Sequence, residues 1–183
     1  MVLKLMAQIF ILLLIVYAAT GLILSLSVHL LSYTGIQFGG DALFFGLHVG
    51  IFPLWLPVVL IAQEMTNNAP RKDFWKIAMS GCPVWMKYMT SGFFGYAIVN
   101  FLLFMVFEQT RSHGGEAFPT ASFWRGFSGH WMAFYSAGMA VMTTAYRRGI
   151  SSFERYCANG HEINYDAKFC SVCGVRTDGE DKK

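Results

Sequence analysis

The chain has 183 residues, 55% of them hydrophobic and only 14% charged, with a formal net charge of +3. Soluble domains average about 25% charged residues, so this composition excludes an ordinary water-soluble globule. The small surplus of 14 basic over 11 acidic residues gives no basic footprint for nucleic acid.

The charges are segregated. No Asp, Glu, Lys or Arg occurs in 5–40, 42–63, 88–107 or 126–146. A helical span needs about 20 mostly apolar residues, so four transmembrane helices are predicted, at about 5–31, 42–63, 88–107 and 127–146. The expected fold class is an all-α membrane protein: a four-transmembrane-helix bundle over 1–147, with 148–183 as a separate short tail.

The first run, Leu5 to Leu31, would be about 40 Å long as a helix. That exceeds the roughly 30 Å hydrocarbon thickness, so the helix tilts or projects. Lys4 and Ala18-Ala19 imitate a signal peptide, but the apolar run is longer than a signal core, which favours an uncleaved anchor. Span two carries Gly46-x-x-x-Gly50, a small-residue pattern for close backbone approach within the bundle or in a homo-oligomer. Pro53 and Pro57 should kink this span.

The segment at about 70–80 mixes Phe74, Trp75, Ile77 and Met79 with Arg71, Lys72 and Lys76. Asn68 is a candidate cap and Pro70 a candidate first-turn residue, so an interfacial helix is expected. Cys82 is read as a plain interfacial cysteine in preference to an acylation site. The outer side is aromatic, with Phe118, Phe123, Trp124, Phe127 and Trp131 as ordinary interface anchors. Span four has a small face at Ser136, Ala137, Gly138 and Ala140.

Short-loop lysine and arginine counts set the orientation. Arg71, Lys72, Lys76 and Lys87 fall in the second loop, against only Arg111 and Arg125 in the third, and Arg147, Arg148 and Arg155 follow span four. The expectation is a multi-pass protein of the cell (inner) membrane with both termini cytoplasmic.

Three histidines lie in or beside spans: His29, His48 and His130. On this topology all three belong to one leaflet. They are the candidate residues for a haem or metal site, helped by Asp41 or Glu108. The plainer reading is hydrogen bonding to headgroups, water or a neighbouring helix. Asn100, deep in span three, reads as an interhelical donor. Gly126-Phe-Ser128-Gly-His130 fails the G-x-S-x-G spacing of a nucleophile elbow. No reaction is legible, so the chain is read as non-enzymatic.

The tail holds Cys157-x3-His161 and, eight residues on, Cys170-x2-Cys173-Gly174. Three thiolates and an imidazole are a structural Zn2+ ligand set. A redox Cys170–Cys173 pair is the other reading, but such a pair sits in a βαβ unit that this tail is too short to hold. Asn159-Gly160 is a turn dipeptide, and Gly174 suits the positive φ of a metal knuckle. Phe169 and Tyr165 are expected to cover the site. Arg155, Lys168 and Arg176 are close enough in sequence to offset its charge.

Residues 155–176 resemble the zinc-ribbon knuckles of bacterial proteins, in the form C-x-N-G-H…F-C-x-x-C-G, with one Cys-x3-His arm in place of a second Cys-x2-Cys. The resemblance implies a structural zinc with no open coordination position. From Arg148 to Lys183 six basic residues balance six acidic ones, so the expected partners are the lipid bilayer and a protein docked on the tail, not nucleic acid. The alternatives are a membrane redox or haem protein using the intramembrane histidines, and a small transporter or channel subunit.

Overall fold

A computed structural model describes residues 2–36, 38–66, 71–112, 120–148, 155–157, 159, 161–163 and 167–177. Side chains are described throughout these except at 3–4, 107–112, 120–122, 155–156 and 162. The order is α1 (Val2–Ser32), α2 (Gly40–Val49), α3 (Ile51–Met65), a 3-10 turn (Arg71–Asp73), α4 (Phe74–Ala78), α5 (Val84–Ser112), α6 (Thr120–Arg148), and the two short strands β1 (Arg155–Tyr156) and β2 (Glu162–Ile163).

Among the described residues three stretches are long and apolar enough to cross a membrane: Leu5–Ser32, Gly40–Met65 and Val84–Val106. The fourth expected span, α6, falls short of that hydropathy. It carries Arg125, Ser128, His130, Ser136 and Thr144 among its apolar residues. Yet α6 is the helix around which the others are arranged, packing against α1, α5 and α3. Trp131, Tyr135, Met132, Val141, Met142 and Thr144 on it are all fully buried. Its polar groups therefore face protein, while α1 and α5 turn Phe10, Leu13, Ile23, Ile98 and Leu102 outward. Large apolar side chains on the outside suit a lipid solvent, in which helices associate by close packing and interhelical hydrogen bonds.

The second apolar run is one span by composition but two helices by backbone. Pro53 has no N–H for the carbonyl four residues back, and its ring crowds that turn. The helix accordingly breaks at Gly50, just ahead of it. In a bilayer the exposed carbonyls of such a break need donors. Tyr135 Oη donates to Leu47 O at 2.9 Å, and Tyr17 Oη donates to Gly50 O at 2.9 Å. A Cβ at Gly50 would stand 2.6 Å from Tyr17 Oη and 2.7 Å from Tyr135 Oη. Glycine is thus required here for close approach inside the bundle, whereas Gly46 faces open space. The paired glycines do not share one surface.

Helix α5 starts directly after Pro83, several residues before the expected boundary. The interfacial segment is shorter than expected, a 3-10 turn followed by the five residues of α4; Asn68 and Pro70 lie outside the described residues. In it Trp75 and Lys76 are exposed and Ala78 is buried. Cys82 is buried with its thiol donating to Met79 O at 3.2 Å, and burial pushes the thiol above its ordinary value. A buried neutral thiol is a poor nucleophile, which agrees with the plain reading of this cysteine.

Candidate metal centre

The tail brings its four candidate ligands together through two short antiparallel pairings. In the first, β1 pairs with β2, with Arg155 opposite Ile163 and Tyr156 opposite Glu162. Beyond them Cys157 N–H donates to His161 O at 2.9 Å, closing the turn that contains Asn159. Cys157 and His161 are thereby placed on one side of a hairpin.

The second pairing joins Phe169 to Arg176. Inside it Cys170 N–H donates to Val175 O at 2.8 Å, and Gly174 N–H donates to Cys170 O at 2.8 Å. Gly174 has φ +70°, a left-handed conformation natural to glycine. The knuckle lets Cys170 and Cys173 approach a common point. Thr177, buried, ties the far end by donating from its backbone to Lys168 O at 2.9 Å and from its hydroxyl to Ala167 O.

The ligating atoms of Cys157, His161, Cys170 and Cys173 all lie within 4.8 Å of one another. Cys157 Sγ is 3.6 Å from Cys173 Sγ and 3.5 Å from His161 Nδ1. Zinc–sulfur bonds of about 2.3 Å and a zinc–nitrogen bond of about 2.0–2.1 Å in a tetrahedron require separations of about 3.8 Å and about 3.5 Å. The donor set and its spacing therefore fit a metal ion such as zinc, with Nδ1 as the imidazole donor.

The thiols are not equivalent. Val175 N–H beside the Cys173 sulfur draws that thiol down to about 6, whereas burial raises the Cys157 thiol. A hydrogen bond to the charged form favours it, and desolvation opposes it. Lys168 and Arg176 are exposed, so their charge acts from the rim.

The cover of the site differs from expectation. Phe169 is 57% exposed, whereas Ile163 at 6% packs with Cys157 and Cys170. Successive side chains of an extended segment point to opposite sides, so directing Cys170 inward turns Phe169 outward. Tyr165 lies outside the described residues.

The three histidines have separate surroundings. His29 is buried, with Nδ1 2.7 Å from Ser128 Oγ and Nε2 2.6 Å from Tyr96 Oη. His48 Nδ1 accepts from Trp131 Nε1 at 3.3 Å. His130 meets Phe101 edge-on, at 5.0 Å between ring centroids, and has Nδ1 3.4 Å from Gly126 O. Among the described residues the only group of three or more potential metal ligands is the one in the tail; the histidines form no such group with one another or with Asp41. The Glu108 side chain lies outside the described residues.

The polar network around His29 is the feature that sequence reasoning missed. Tyr33 Oη lies 3.3 Å from Tyr96 Oη, the Arg125 guanidinium stacks 4.3 Å from the Tyr33 ring centroid, and its Nη2 donates to Ser32 O at 3.4 Å. Asn100 Nδ2 donates to Arg125 O at 2.9 Å and Gly126 O at 3.2 Å, the interhelical role expected of it. The available signal was the set of hydroxyl-bearing residues, Tyr33, Tyr96 and Ser128, inside or beside apolar runs.

Comparison with known proteins adds no relative: no family model, no curated protein and no solved structure matches the chain.

Proposed function

We propose that this chain is a non-enzymatic integral membrane protein of four spans, with α6 as the fourth, whose tail is a zinc ribbon serving as a protein-docking module. The observation that carries this reading is the closed Cys157–His161–Cys170–Cys173 set. Four protein ligands complete a tetrahedron and leave no position for water or substrate, which is the structural class of zinc site. A metal-stabilised surface with balanced charge suits a protein partner better than nucleic acid.

Two arguments support α6 as a span. Its length, Thr120–Arg148, gives about 43 Å of helix, ample for the bilayer core. Polar side chains in a membrane helix are tolerated when they face other helices, and those of α6 do. The surplus of Arg and Lys in the second loop and after α6 supports an orientation with both ends of this chain on the cytoplasmic side of a cell membrane, where thiolates stay reduced. The haem and transporter readings gain no comparable support, since the histidines have protein partners and the acidic residues of the second stretch, Asp41 and Glu64, lie at its two ends.

The test is metal content and visible absorption of the detergent-purified protein beside a Cys170→Ser/Cys173→Ser variant, followed by partner capture with and without 150–183. One zinc per chain, absent in the variant, with capture that needs both tail and metal, is the expected result. A haem band, or a metal retained by the variant, would overturn the reading.

A further inference from the structure

A cavity of about 420 Å³, open on one side, lies between α4, α5 and α6. Trp75 of α4 and Met79 just after it, Thr90, Phe94 and Gly95 of α5, and Ala137 of α6 line it. Its size falls within the roughly 300–1,000 Å³ of small-ligand sites. The walls are mainly apolar, but Thr90 is only 5% exposed and its Oγ1 has no hydrogen-bond partner. An unpaired hydroxyl in such a place costs about 1–3 kcal/mol unless a ligand satisfies it.

Two cations that do not line the cavity stand beside its Met79 end, bonded to the carbonyls of the next two residues, Ser80 and Gly81. Lys87 lies three residues before Thr90 and four before Ser91, on the same face of α5. Its Nζ donates to Ser80 O at 3.5 Å, at the corner where α4 turns into α5. Arg147, from the end of α6, donates to Gly81 O at 3.1 Å at the same corner. Among the described residues neither cation pairs with a carboxylate. The stretch of α5 from Lys87 to Ile98 covers about 16 Å, about half the hydrocarbon thickness.

We infer that this cavity is a binding site for one anionic phospholipid. An acyl chain lies along Phe94, Gly95 and Ala137, an ester oxygen of the glycerol region accepts from Thr90 Oγ1, and the phosphate meets Lys87 and Arg147. An apolar slot one leaflet deep, with a buried donor in its wall and two cations beside one end, matches that molecule part by part. A partner helix would match the apolar wall but not the cations.

The test uses full-length protein stripped of lipid in detergent, then exposed to equal phosphatidylglycerol and phosphatidylcholine of identical chains, with bound lipid read by native mass spectrometry. Phosphatidylglycerol should be retained over phosphatidylcholine by about tenfold, the scale of one charge-assisted contact. Gly95→Leu should abolish retention. A Cβ at Gly95 meets nothing within 4 Å, so this variant fills the slot without disturbing the bundle, and an unchanged melting midpoint checks that. Lys87→Gln/Arg147→Gln should bring the two lipids to equal retention, and Thr90→Val should weaken both. Equal binding of the two lipids by the unaltered protein, undiminished retention in Gly95→Leu, or a dimer mass that Gly95→Leu removes would each overturn the assignment.

Discussion

The helical region and the tail hold their folds by opposite means. In the helices, packing does the work: α6 buries Trp131, Tyr135 and Met142 against its neighbours, and a polar network joins His29, Ser128 and Tyr96 across three helices. In the tail the described buried apolar cluster is Cys157, Ile163 and Cys170, with Ala167 and Cys173 against it. Among the described tail residues so few buried side chains offset little of the conformational entropy of ordering the backbone, and the zinc proposed above would supply the rest. The contrast teaches that one chain can answer two solvents. Where lipid removes the hydrophobic drive between helices, shape and buried hydrogen bonds decide. Where a short segment has only a small described core, the proposed tetrahedral ion would take its place.

The strongest way to break this comparison is to remove the tail's ligands. In Cys170→Ser/Cys173→Ser the tail should lose its zinc and unfold while the helices keep their structure. Structural zinc contributes on the order of 10 kcal/mol in small metal modules. Zinc analysis together with limited proteolysis reads both halves; a tail that stays protease-resistant without metal would show that packing sustains it after all.

A smaller effect is expected at the helix break. Gly50→Ala places a Cβ against Tyr17, Tyr135 and Gly46 O and should destabilise the bundle by about 1–3 kcal/mol, the usual range for overpacking. Gly46→Ala, in open space, is the matched control. Denaturant titration in mixed micelles measures the pair, and equal stabilities would contradict the close approach.

Smaller again is the network around His29. A His29→Ala and Ser128→Ala double-mutant cycle should return a coupling of about 0.6–2 kcal/mol, as interhelical hydrogen bonds in membranes do. Zero coupling would mean that the 2.7 Å contact is not a working bond. The mildest substitution is His161→Cys, which keeps four ligands and should retain zinc at one per chain; loss of the metal would point to a requirement for imidazole.

Much of this arrangement was legible from residue order. The charge-free runs 5–40, 42–63 and 88–107 fall mostly inside the apolar helical stretches Leu5–Ser32, Gly40–Met65 and Val84–Val106, because a helix that faces lipid must be apolar along most of its length. The tail ligands were equally plain, since metal geometry constrains spacing directly: Cys157, His161, Cys170 and Cys173 converge as their spacing implies. Turn chemistry was local too, and Gly174 takes its left-handed conformation where the knuckle needs it.

What order could not express was which polar residue meets which. The partners of His29 are 67 and 99 residues away, and nothing in the chemistry of a histidine selects Tyr96 or Ser128 over a headgroup. Gly46 and Gly50 look alike as a motif, yet only Gly50 is approached closely by two phenols from other helices within the chain. Phe169 appeared to be the cover of the metal site until the alternation of side chains turned it outward. Local propensity, apolar length and ligand spacing are properties of neighbours along the chain, and the sequence alone determined them. The central place of α6, the satisfied break in the second span and the cavity beside Lys87 arise from contacts between distant helices, and only the tertiary structure decided those.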